Sequence, residues 1–150
     1  MPEREMLIAV CAEWVAKAEN DLTNAAHTLK LREICPTDTV CFHAQQCVEK
    51  YLKAILVLEE IDFPKTHDLE ALMALVPAGL RPALTTEEQA RLTEYATVAR
   101  YPGWEEIPLA AARRAVAAAR RVRREVRRVL PRKAVRRKKA SLTQTTKSTS

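Results

Sequence analysis

One stretch of the chain carries polar side chains at the spacing of a single helix face. They are His43, Gln46, Lys50 and Lys53. On an α-helix this spacing places all four within an arc of about 80°. Ammonium and amide groups can bind phosphate, sugar or base, and an imidazole can move a proton near neutral pH. A solvated face in which Glu49 pairs with Lys53 would explain the same pattern without any binding function.

The helix that carries this stretch is predicted over about 39–60. Pro36 separates it from the preceding helix, and Thr37, Asp38 and Thr39 offer N-caps for it. Its other face is apolar, which indicates packing against a core. The apolar stripe consists of Ala44, Cys47 or Val48, Tyr51, Ile55 and Leu58.

Four further helices are predicted from apolar periodicity and from start and stop signals, over about 5–31, 68–76, 86–99 and 108–130. The run Thr86-Glu87-Glu88-Gln89 matches a capping box at the start of the fourth helix. No segment shows a convincing strand pattern. The predicted fold class is therefore all-α, an antiparallel bundle of about five helices with an up-and-down four-helix core plus a short helix.

The charges are unevenly distributed along the 150 residues. Residues 1–112 carry 10 basic and 18 acidic groups, whereas 113–150 carry 15 basic groups and one acidic group. We expect a helical domain over 1–130 and a basic, Ser/Thr-rich, disordered tail over 131–150. Only two glycines occur, which excludes a glycine-rich phosphate loop.

Three short motifs, taken in order and spacing, resemble the HEPN family. The motifs are His43-Ala44-Gln45-Gln46 followed by Glu49-Lys50 and Lys53-Ala54, then Lys65-Thr66-His67-Asp68-Leu69, and finally Ala99-Arg100-Tyr101-Pro102. The resemblance covers about residues 8–128. It implies a bundle of about five helices that is often a homodimer, and a gene frequently placed beside that of a minimal nucleotidyltransferase in prokaryotic two-component, toxin–antitoxin-like modules.

The resemblance also implies binding of ATP or another nucleotide, with no resident cofactor. Lysine and arginine side chains would contact phosphate, Gln46 would bond to base or sugar, and Tyr101 or Trp104 would offer a stacking face. The nucleotide-binding set is His43, Gln46, Lys50, Lys53, Arg100 and Tyr101.

Many HEPN proteins are metal-independent RNases that use an arginine followed by a histidine. Arg100 resembles that arginine, but no histidine follows it in the chain. His43 or His67 would have to supply the imidazole, although His67 beside Thr66 also suits a structural role. We therefore expect a binding module rather than an enzyme, with a metal-independent endoribonuclease as the alternative and Arg100, His43 and His67 as its candidate catalytic residues.

The basic end offers a third function, non-specific binding of RNA, DNA or another polyanion by a dimer. Pairs of arginines recur along the fifth helix while its other positions suit a core. Alternatively, these arginines pair with the acidic residues of 1–112, within one chain or across a dimer, and bind no other molecule. The predicted nucleic-acid contacts are Arg120, Arg121, Arg124, Arg127 and Arg128.

The four cysteines form no CxxC pair, and we expect reduced, mostly buried thiols and no metal site. No apolar run is long enough to span a bilayer, and the N-terminus lacks the pattern of a signal peptide. These features predict a cytoplasmic protein without a membrane partner.

Overall fold

The protein folds as a helical bundle, and the predicted all-α class is confirmed. A computed structural model describes residues 2–99 and 101–136, and these residues contain no β-strand. Two short 3₁₀ helices, Arg32–Ile34 and Ala78–Leu80, lie in the connections. The α-helices are α1 (Pro2–Leu29), α2 (Thr37–Leu58), α3 (Leu69–Leu75), α4 (Thr86–Thr97), α5 (Leu109–Val129) and α6 (Arg132–Val135).

The long helices α1 and α2 pack against each other in opposite directions. The Lys53 ammonium near the end of α2 lies 5.5 Å from the ring centre of Trp14. Asp21, farther along α1, contacts His43 near the start of α2. α2 also packs against α3, α4 and α5, and α1 also packs against α5 and α6. This arrangement agrees with the predicted four-helix core plus a short helix.

The centre of the bundle is α2. The apolar stripe predicted for this helix is buried along its whole length, because α1, α3, α4 and α5 surround the helix. The polar face of the same helix consequently also lies against a neighbour, and this neighbour is α1. The buried members of the stripe are Ala44, Cys47, Val48, Tyr51, Ile55 and Leu58.

The start of α2 differs from the prediction. The helix begins at Thr37, two residues before the predicted start, and Pro36 occupies the N-cap position. Instead of capping the helix, the Thr37 hydroxyl donates to the carbonyl oxygen of Ile107 at 2.7 Å. This bond joins the start of α2 to the segment that leads into α5. Local sequence signals could not indicate a contact between residues so far apart in the chain.

The capping box of α4 lies one residue before its predicted position. Thr85, not Thr86, is the N-cap. Its hydroxyl accepts from the backbone N–H of Glu88 at 3.1 Å, and the Glu88 carboxylate accepts from the backbone N–H of Thr85 at 2.9 Å. Both threonines fit the capping pattern, since Glu88 and Gln89 each stand three residues after one of them.

The packed helices continue past residue 130, where the sequence predicts the end of the domain. After Pro131 the short helix α6 packs against α1, and Ala134 is buried. The backbone carbonyl of Val135 accepts from the Arg127 guanidinium at 3.0 Å. Residues 131–136 therefore form part of the packed body, while the rest of the predicted tail, 137–150, lies outside the described residues.

Membrane insertion through a helix has no support in the described part of the chain. None of its helices is both long enough and apolar enough to cross a bilayer.

Candidate functional site

A buried carboxylate on α1 holds two of the predicted site residues together. Asp21 Oδ1 lies 2.7 Å from His43 Nδ1, and Asp21 Oδ2 accepts from Lys50 Nζ at 2.6 Å. The Asp21 side chain is 10% exposed, whereas those of His43 and Lys50 are 26% and 22% exposed. The imidazole and the ammonium group therefore meet at one carboxylate and remain partly open to solvent.

This contact determines which nitrogen of His43 carries hydrogen. A carboxylate can only accept, so the nitrogen facing Asp21 is Nδ1–H. In the neutral ring Nε2 is then an acceptor, which suits a hydroxyl or base N–H. In the protonated ring Nε2 is a donor, which suits phosphate.

A second carboxylate, Glu49, gathers three other side chains. It is 3% exposed and accepts from Gln45 Nε2 at 3.1 Å and from Lys53 Nζ at 2.9 Å. Its Oε1 also lies 2.7 Å from His67 Nδ1. The pair of Glu49 and Lys53 considered from the sequence is present, but it is buried rather than solvated.

The hydrogen bonds to Glu49 determine the direction of its pKa shift. Burial alone would raise the pKa of this carboxyl. The bonds from Lys53, His67 and Gln45, together with the charge of Lys53, outweigh burial and hold the pKa below its ordinary value of 4.5. Glu49 is thus stabilised as a carboxylate inside the bundle.

Lys53 and Gln46 are largely enclosed. The Lys53 ammonium lies over the rings of Trp14 and Phe63, with 5.5 Å and 5.7 Å to the ring centres, and the residue is 7% exposed. Gln46 is 8% exposed and donates from Nε2 to Gln45 Oε1 at 2.7 Å. Both side chains point into the Glu49 cluster rather than into open solvent.

Tyr101 lies at a different cleft of about 370 Å³ next to the start of α2. Tyr101 and Trp104 are 64% and 42% exposed and line it with Asp38, Glu105 and other residues. None of the four polar residues of α2 is among its described lining. Arg100 lies outside the described residues.

The sequence analysis missed Asp21 and Glu49 as organising residues. A signal for Asp21 was present, because it occurs beside Leu22 in a helical series with Ala18 and Ala25, which are buried. An acidic residue at such a position needs a buried partner. Apart from its place in the HEPN-like motif, Glu49 was considered only as a surface partner of Lys53.

The predicted nucleic-acid residues on α5 separate into two sets. Arg121 donates to Glu88 Oε2 at 2.6 Å on the side of α4, and Arg127 donates to the carbonyl oxygen of Val135. The second set, Arg120, Arg124 and Arg128, is exposed and forms no hydrogen bond or ion pair with any described residue.

Glu19 pairs with the α5 arginines that face α1. It accepts from Arg123 Nε at 2.8 Å and from the Tyr51 hydroxyl. Burial raises the pKa of Tyr51, and its bond to Glu19 raises it further. Part of the predicted internal neutralisation therefore occurs within one chain.

The four cysteines are free and buried, as predicted. Burial raises the pKa of Cys11 to about 11 and that of Cys41 to about 12, so these thiols are poor nucleophiles. Among the described residues no group of three His, Cys, Asp or Glu side chains could hold a metal ion.

Comparison with known families adds the identity of the fold. The family model described as HEPN domain matches residues 11–129. A search of curated proteins and a search of solved structures each found no match. The matched segment contains most of α1, all of α2 to α5, and both carboxylate clusters. Because the match covers well over half of the 150 residues, the chain belongs to the HEPN family.

Proposed function

We propose that the protein is a cytoplasmic HEPN-type module that binds a nucleotide such as ATP, or a minimal nucleotidyltransferase that carries one. Family membership supports a nucleotide-related or RNase-type role. The observation that carries the proposal is the shared contact of Asp21 with His43 and Lys50. This contact holds a hydrogen-bonding imidazole and an ammonium group side by side at a partly open surface.

Within this proposal the predicted residues take different roles. Lys50 contacts phosphate, and His43 Nε2 bonds to a sugar hydroxyl, a base or phosphate according to its protonation. Lys53 and Gln46 support this face through Glu49 and Gln45. Arg100 and Tyr101 stay predictions as further phosphate and stacking contacts.

Calorimetry with ATP tests the role of Lys50. Lys50→Gln removes the charge while keeping a polar side chain, and a charged hydrogen bond is worth about 1.5–3 kcal/mol, so we expect roughly tenfold weaker binding or more. Lys65→Gln is the matched control, because Lys65 is exposed and forms no hydrogen bond or ion pair with any described residue. Equal ATP affinity of the two variants would remove Lys50 from the site, and absence of binding at millimolar ATP would contradict nucleotide binding.

The proposed partner and the proposed homodimer need a separate experiment. If a nucleotidyltransferase gene lies beside this one, its product should bind the full chain at micromolar concentration, as one half of a toxin–antitoxin-like module. Analytical ultracentrifugation of the protein alone should show a dimer. A monomer that does not bind this gene product would contradict both statements.

A metal-independent RNase is the second candidate, and the orientation of His43 favours it. Asp21 fixes the ring so that Nε2 of the neutral imidazole can take the proton of a ribose 2′-hydroxyl. Arg100 would stabilise the charge that develops on the phosphate. His67, whose Nδ1 faces Glu49, is the other histidine considered for this role.

RNA cleavage assays test this candidate. Activity should survive EDTA, disappear in Arg100→Ala and His43→Ala, and persist in His27→Ala, which changes an exposed histidine of α1. Intact RNA across about pH 5 to 9, where histidine changes its charge, would exclude the RNase function.

A further inference from the structure

A groove between α1, α5 and α6 concentrates positive charge at the surface. It encloses about 810 Å³, and its described lining has one acidic residue, Glu19. Thr23 of α1 and Val135 of α6 also line it. Arg121, which pairs with Glu88 of α4, does not line the groove. Its arginines are Arg120, Arg123, Arg124, Arg127 and Arg128.

These arginines have two different environments. Arg123 and Arg127 are half-buried and pair with Glu19, so they hold α5 against α1. Arg120, Arg124 and Arg128 are exposed and have no partner among the described residues. The first pair builds the wall of the groove, and the other three present unneutralised charge along its edge.

The spacing of the three unpaired arginines matters for the ligand. They stand four residues apart, which on a helix gives a row with a rise of about 6 Å per step. Like charges at this spacing repel one another, and none of the three forms an ion pair with a described residue. A polymer with evenly repeated negative charges can neutralise all three arginines at once, whereas a single small anion cannot.

We propose that this groove binds the phosphate backbone of a nucleic-acid strand, with Arg120, Arg124 and Arg128 as the phosphate contacts. Guanidinium groups match phosphate oxygens in a bidentate geometry, and every basic residue of α5 is an arginine rather than a lysine. Binding is independent of base sequence, because these contacts carry no base information. The site is separate from the nucleotide site proposed on α2.

The test is a titration of the full chain with labelled oligouridylate and oligothymidylate at several salt concentrations. Replacing Arg120, Arg124 and Arg128 together by Gln should weaken binding of both strands roughly tenfold or more near 0.1 M salt. The slope of log affinity against log salt should become shallower by about 2, since each phosphate contact on a single strand contributes about 0.7.

The matched control loses three charges elsewhere. Lys17→Gln, Lys65→Gln and Arg113→Gln change exposed residues outside the groove and should leave the salt slope almost unchanged. Circular dichroism should show the same helicity for both triple variants, because the residues they replace are exposed and form no hydrogen bond or ion pair with a described residue.

Two outcomes would overturn the proposal. One is an equal loss of affinity and an equal change of the salt slope in the groove variant and the control. This result would assign binding to the overall positive charge of the protein. The other is displacement of the oligonucleotides by polyglutamate at equal charge concentration, which would identify an acidic protein chain as the ligand. Neither triple variant alters α2, so the result does not depend on whether ATP binds there.

Discussion

Two carboxylates organise the polar face of α2. Asp21 holds His43 and Lys50, and Glu49 holds Lys53 together with His67. Ion pairs in these positions are expensive to desolvate, and removing one partner leaves an uncompensated charge. The side chains of this face are therefore held in place before any ligand arrives.

The first prediction concerns the ring of His43. Because Asp21 accepts from Nδ1, neutral His43 should carry its hydrogen on Nδ1, and nitrogen-detected NMR of the imidazole will show this. Asp21→Asn replaces the carboxylate by an amide and should allow a mixture of tautomers. His27, which is exposed, supplies the internal control and should not change. An Nε2–H form of His43 in the unmodified protein would contradict the prediction.

The second prediction concerns Glu49 and acid. Its pKa is lower in the folded protein than its ordinary value of 4.5, so its contribution to stability is present above pH 4.5 and is lost as pH falls through the folded value. Glu49→Gln should lower the free energy of unfolding at pH 7 by about 3 kcal/mol, since it leaves Lys53 unpaired.

Urea unfolding between about pH 3 and 7 measures both effects of Glu49. The difference between wild type and Glu49→Gln should shrink as the solution becomes acidic. Glu13→Gln changes an exposed carboxylate of α1 and should have little effect at any pH. A constant difference across this range would show that the Glu49 carboxylate does not act through its charge.

The helices differ in how strongly their ends are specified. α4 has a complete capping box. Its two side chains accept from backbone N–H groups that have no carbonyl partner within the helix. α2 begins after Pro36 without a side-chain cap and relies on its central position instead. Side-chain capping therefore stabilises the start of α4 but not that of α2.

The third prediction separates two adjacent threonines. Thr85→Ala should lower the free energy of unfolding by about 1 kcal/mol, because it removes the N-cap of α4. Thr86→Ala changes an exposed residue of the first turn and should be neutral or slightly stabilising. Chemical denaturation of the two variants decides which threonine caps the helix, and equal losses would contradict the observed capping box.

The whole molecule combines an acidic body with a basic end. Arg121 and Arg123 of α5 pair with acidic residues of α4 and α1, so the two parts stabilise each other. The pairs are partly exposed, and salt weakens such interactions. α6 packs on α1 and borders the arginine-lined groove on the basic side of the bundle.

The fourth prediction concerns the end of the folded body. Removing residues 131–150 should lower the free energy of unfolding by about 1–2 kcal/mol, because it removes both the buried Ala134 and the bond from Arg127 to Val135. Removing only 137–150 leaves these contacts intact and serves as the control. Equal stability of the two truncated chains would place the domain end at residue 130.

The sequence by itself determined the helices, because a helix depends on contacts between residues three or four apart. It also determined the buried stripe of α2, the buried thiols and the resemblance to HEPN proteins. Helix ends were less certain, since two overlapping capping patterns at Thr85 and Thr86 are equivalent locally.

Only the tertiary structure decided which side chains meet. Asp21 and His43 are 22 residues apart, and Glu19 and Arg123 are 104 residues apart. Their contact depends on how α1 lies against α2 and on how α5 is rotated, and no local pattern specifies either. The same rotation decides that Arg124 stays unpaired while Arg123 does not, although the two are neighbours in the chain.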